Sequence, residues 1–128
     1  MKNPYIGFLG GGRPQVELAN RLAEEGFRVR AMFLKSPELS PQVHISEDFR
    51  DDLWLCGTLV LPDPVCLRGL ELNAPFWPVP VDAGQFLGSI GKGVLLLAGE
   101  MTPEFRAAAA AREVAVTSFS AARNLPLP

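Results

Sequence analysis

The chain of 128 residues has room for one ordinary domain with its own core and too little for two. Hydrophobic residues make up 48% and charged residues 20%, a globular balance, and a formal charge of -2 with a pI near 5.4 leaves no basic footprint for nucleic acid. The two cysteines, Cys56 and Cys66, lack C-x-x-C spacing, and with a single histidine, His44, they cannot assemble a zinc quartet, so both thiols read as reduced, small apolar residues.

In chain order, Lys2 is followed by Asn3 and Pro4 rather than by a signal-peptide core, and no apolar run approaches the roughly 20 residues of a membrane span. A cytoplasmic protein without membrane contact is the expectation. Tyr5 to Leu9 reads as a strand buried on both faces, the kind found inside a parallel sheet. Gly10, Gly11 and Gly12 end it. Pro14 opens a helix whose apolar stripe is Val16, Leu18, Ala19, Leu22 and Ala23, and Gly26 stops it. Phe27 to Leu34 alternates as a strand nearer the sheet edge. Lys35 to Val43 is a loop holding two apolar residues, Leu39 and Val43, among prolines and serines.

Ser46 can cap a short helix over Glu47 to Leu53, with acidic residues in its first turn. Thr58 to Leu61 is a short strand stopped by Pro62. The proline-rich stretch from Pro62 to Pro80 reads as a long connection carrying the bulky pair Phe76-Trp77, a length that suggests a functional or partner-covered loop. Asp82 caps a helix over Ala83 to Leu87, and Val94 to Ala98 is a central strand. Thr102 caps an alanine-rich helix whose first position is Pro103 and which runs on to Arg112, and Val114 to Phe119 closes the sheet.

Alternating strands and helices predict an α/β fold, a flavodoxin-like or Rossmann-like three-layer sandwich on a five-stranded parallel sheet of order 2-1-3-4-5. Residues 1–120 form the single domain of this reading, and 121–128 are a tail or the start of an interdomain segment. Ligands in such sheets bind beyond the carboxyl ends of the strands, at the switch point between the first and third. The switch point collects the candidate substrate- or anion-binding residues Gly10, Gly11, Gly12, Arg13, Gln15, Asp63, Gly99 and Glu100. None is assigned a catalytic or metal-binding role.

The glycine loop fits two readings, a tight turn needing positive φ and an anion cradle at a helix N-terminus. As a dinucleotide fingerprint it is incomplete: Gln15 stands at the third glycine position, and Phe33-Leu34-Lys35 offers no acid for a ribose. Asp63 between two prolines also fits a turn former, and Glu100 also suits a helix start. His44 falls in a loop away from the strand ends. Cys66 lies near the pocket without a base beside it in sequence.

Phe8-Leu9-Gly10-Gly11, Gln15 with Glu17 and Leu18, Leu61-Pro62, Leu97-Ala98-Gly99 and Asn124-Leu125-Pro126 follow one another with compatible spacing. In these motifs the chain resembles the N-terminal domain of the A subunit of spore dipicolinate synthase. The family's acidic residue falls here on Gly12 and its arginine on Pro14, with Arg13 one position earlier. The resemblance implies the substrate-side domain of an oxidoreductase, paired with a C-terminal nucleotide-binding domain holding NADP and with a B subunit. It further implies a small dicarboxylate substrate, dihydrodipicolinate, oxidised to dipicolinate in sporulation, and no cofactor bound by this domain itself. Arg13 would then be a partner for a substrate carboxylate. Two other classes stay open: a non-catalytic flavodoxin-like module that binds a small anion or nucleotide at the glycine loop, and a homodimerising structural domain.

Overall fold

The computed structural model describes residues 5–46, 56–90 and 93–118. Its strands and helices follow in the order β1 (Tyr5–Leu9), α1 (Arg13–Glu24), β2 (Val29–Met32), β3 (His44–Ile45), β4 (Cys56–Val60), β5 (Cys66–Arg68), β6 (Glu71–Leu72), α2 (Ala83–Leu87), β7 (Leu95–Ala98), α3 (Pro103–Ala111) and β8 (Val116–Ser118). Six strands form a parallel sheet ordered β3-β2-β1-β4-β7-β8. Without β3 this is the expected 2-1-3-4-5 arrangement. The sixth strand is the difference: His44, read as loop, and Ile45 pair with Arg30 and Ala31, so β2 lies one strand in from the edge. The helix expected over Glu47 to Leu53 and the tail 121–128 lie outside the described residues.

Two apolar layers explain why the central strands are buried on both faces. On one, α1 sets Val16, Ala19 and Ala23 against Phe8, Val29, Ala31 and Val60. On the other, α2 and α3 bring Phe86, Leu87, Phe105 and Ala109 onto Leu9, Leu59, Leu61, Leu96 and Ala98. Gly7 belongs to the second face. A Cβ there would stand 2.7 Å from both Cys56 Sγ and Leu59 Cδ2, so the glycine in the middle of β1 marks a close approach of packed side chains.

Local signals set the helix ends. After α1, Gly26 at φ 96 donates to Ala23 O and Phe27 N donates to Leu22 O, a Schellman ending. Thr102 caps α3 by accepting from Phe105 N at 3.1 Å, and Asp82 caps α2 by accepting from Gly84 N at 2.8 Å. The far end of α3 repeats the Schellman bonds, with Glu113 N donating to Ala110 O and Val114 N to Ala109 O. Here, however, the left-handed position is held by Glu113 at φ 57. A side chain pays about 1 kcal/mol in that region, and Glu113→Gly is therefore expected to stabilise the fold by roughly that amount, read as a higher urea midpoint at unchanged slope.

Pro62 to Pro80, expected as an open connection, contains an antiparallel ribbon of β5 and β6 joined through Gly69. Leu72 N donates to Val81 O and Ala83 N to Leu70 O, which ties the ribbon to the start of α2. Its strands are only three and two residues long, below the length at which alternation is visible in a sequence.

Candidate functional site

The carboxyl ends of β1, β4 and β7 meet at the switch point, and backbone bonds lace their loops together. Asp63 Oδ1 accepts from Glu100 N at 2.8 Å, Gly99 N donates to Pro62 O at 3.3 Å, and Val65 N donates to Glu100 O at 2.9 Å. A Cβ on Gly99 would overlap the Cα, Cβ and Cγ of Asp63. Asp63, Gly99 and Glu100 thus form one contact.

The glycine loop is joined to them through a residue that sequence reading passed over. Asn73, just after β6, accepts from Gly11 N at 2.8 Å on its carbonyl and donates its own N–H to Val65 O, while its side-chain Nδ2 donates to Pro64 O at 3.0 Å. It bridges the β1 loop to the Asp63-Pro64-Val65 turn. The signal available in sequence was Cys66 to Leu72 with Gly69 at its centre, the outline of a short hairpin.

All three glycine N–H groups donate inside the chain. Gly10 N bonds Met32 O at 2.8 Å, Gly11 N bonds Asn73 O, and Gly12 N bonds Gln15 Oε1 at 2.8 Å. Gln15 therefore occupies, with its own amide oxygen, the place where an anion would accept at the start of α1. Gly10 and Gly11 stand at φ 71 and 101, as a tight turn requires. The charged group at this turn is Arg13, whose side chain is 74% exposed and lies 3.5 Å from Glu17. An ion pair that open to water holds the guanidinium weakly, leaving it available to a carboxylate.

The other candidates lie apart. His44 is exposed on β3 at the sheet edge, not in the loop expected for it. Cys66 is buried in the ribbon, and burial, with the charge of Asp82 next, pushes its thiol from 9.0 up to about 11. It is no nucleophile at neutral pH. Because the folded value exceeds the unfolded one, its contribution to stability is complete below pH 9 and is lost as the pH rises toward 11, on the order of 2 kcal/mol in all. Urea unfolding across that range should show stability falling more steeply with pH in the wild type than in Cys66→Ala, the difference between the two curves being this contribution.

At the opposite end of the sheet Tyr5 sits under two guanidinium groups, Arg28 and Arg30, each 4.2 Å from its ring centroid, and Arg28 donates to its hydroxyl at 2.8 Å. Hydrogen bonding from Arg30 lowers the phenol's pKa, opposed by burial and reinforced by Arg28. Among the described residues no three His, Cys, Asp or Glu side chains are grouped to hold a metal ion. No described helix is long and apolar enough to cross a membrane.

The fold has counterparts among known proteins. A family model for the N-terminal domain of the dipicolinate synthase A-subunit matches residues 5–119. The fold is similar to the dipicolinate synthase A chain from Bacillus subtilis, with a TM-score of 0.76 and 13% identity over 92% of this chain and 40% of that one. It is equally similar to the dipicolinate synthase A-subunit from Bacillus halodurans, with a TM-score of 0.75 and 10% identity over 89% and 40%. A more distant likeness is to D-lactate dehydrogenase with NAD+ from Lactobacillus jensenii, with a TM-score of 0.56 and 18% identity over 98% and 38%. Among curated proteins none matches the sequence. The chain spans about two fifths of the length of the structures it resembles.

Proposed function

The chain belongs to the family of dipicolinate synthase A-subunit N-terminal domains, and from that premise we propose that it is the substrate-side part of an oxidoreductase converting dihydrodipicolinate to dipicolinate. In this reading NADP, held by a second domain and not by this one, takes the hydride, and the reaction is incomplete without that domain and its B subunit. The observation that carries it is the position of Arg13: an exposed guanidinium on the first turn of α1, beside the switch point where the β1, β4 and β7 loops are bonded together. A planar guanidinium pairs bidentately with a carboxylate. Gln15, whose amide oxygen now caps Gly12 N, is the side chain that a carboxylate arriving at this turn would displace.

What supports a nucleotide site elsewhere is the poor fit here. Phe33, Leu34 and Lys35 follow β2 without an acid for the ribose, and the N–H groups of Gly10, Gly11 and Gly12 are engaged inside the chain. The work left to this chain is to bind and orient a dicarboxylate. Amide NMR titration tests this: pyridine-2,6-dicarboxylate is expected to shift Arg13 and Gln15, and NADP to shift nothing in the loop. Tight binding of NADPH, or turnover by this chain alone, would overturn the proposal.

A further inference from the structure

We infer that Phe33 and Trp77 form a wall against which the planar ring of the substrate lies while Arg13 takes one of its carboxylates, an inference that rests on the function proposed above. β2 ends at Met32, and the next residue, Phe33, turns into the left-handed region at φ 59. That conformation is foreign to an aromatic residue and open to glycine or asparagine. Its neighbours Met32 and Leu34 are fully buried on opposite faces of the sheet, whereas Phe33 is only half-buried. The turn aims its ring edge-to-face at Trp77, with centroids 5.6 Å apart and planes at 80°. Both rings rest on the core cluster of that face with part of their surface left open, and strain of this kind gathers where a side chain is aimed for a task.

The pair stands beside the candidate anion turn. Gly11 N donates to Asn73 O, and Trp77 N closes a turn on Ala74 O at 3.1 Å. Between them Pro75 packs over Gly12, where a Cβ would meet its Cγ at 3.3 Å. The segment from Asn73 to Trp77 therefore runs from the start of α1 to the end of β2, with the indole, itself half-buried, at its far end. A pyridine ring drawn over the indole, with a carboxylate held at Arg13, uses both groups at once, whereas a flexible dicarboxylate of equal charge uses only the cation.

The test compares pyridine-2,6-dicarboxylate with glutarate, each titrated to millimolar concentration into this chain in metal-free buffer and followed by NMR. The pyridine ligand is expected to shift Arg13, Gln15, the Phe33 amide and the Trp77 indole N–H, and glutarate to shift Arg13 and Gln15 alone. Phe33→Gly, which removes the ring and relieves the backbone, and Trp77→Leu, which keeps apolar volume, should each weaken the pyridine ligand about fivefold and leave glutarate unchanged. Shifts confined to Arg13 and Gln15 for both ligands would overturn the wall and leave the proposed function standing. Absence of any response from either ligand would overturn both.

Discussion

Gly99→Ala is expected to cost about 3 kcal/mol and to lower Tm by on the order of 10 °C, measured by urea and thermal unfolding. The reason is space and not backbone conformation, since the contact falls on Asp63 from Cα to Cγ. A flexible side chain could swing away, but the Cα belongs to the loop after β4, and moving it strains the bond from Gly99 N to Pro62 O and that from Glu100 N to Asp63 Oδ1. The variant should therefore lose the dicarboxylate response at the switch point as well as stability. Gly88→Ala is the control: the Cβ added there would meet only the guanidinium end of Arg112, and its expected effect is within about 0.5 kcal/mol. Equal losses at the two positions would show that β4 and β7 are not in close contact at their carboxyl ends.

The elements legible in the sequence were those whose signals are local. β1 and β7 announce themselves as apolar runs, α1 by its stripe and Gly26, and α3 by Thr102-Pro103-Glu104. Each owes its geometry to residues within one or two turns of chain. The elements missed depend on partners far along the sequence. β3 is two residues that become a strand only because Arg30 and Ala31 lie beside them. The ribbon leans on Val81 and Ala83 for its hydrogen bonds, and the prolines on either side of it read as loop.

Strand limits failed for a similar reason. The alternation from Phe27 to Leu34 continues through residues that tertiary structure uses otherwise, Phe27 in the Schellman ending of α1 and Phe33 in a left-handed turn. At the site, the convergence of Asp63, Gly99 and Glu100 followed from topology alone, because the switch point is a property of strand order. The occupation of the Gly11 N–H did not, since it depends on Asn73, some sixty residues beyond the loop.

A graded response to alanine along the glycine loop separates its two readings. Gly10→Ala is expected to cost about 3 kcal/mol, because a left-handed residue with a Cβ adds its own penalty to overpacking. That Cβ would stand 2.9 Å from Leu72 Cδ2 and 3.0 Å from Asn73 O, pushing the ribbon away from the switch point. Gly12→Ala, outside the left-handed region and meeting only Pro75 Cγ at 3.3 Å, should cost about 0.5 kcal/mol or less. Gly11→Ala falls between them: its φ of 101 is unfavourable, but the atoms in its way belong to the movable side chain of Gln15. Gly12→Ala keeps every backbone N–H, so dicarboxylate binding through Arg13 should survive it. Gly10→Ala displaces Asn73 and with it the segment that carries Trp77, so the response of the indole N–H should vanish even where the protein stays folded. Three equal costs, read from urea midpoints, would mean that the loop is a turn without a graded contact to the ribbon, and an indole response that survives Gly10→Ala would separate the aromatic pair from the switch point altogether.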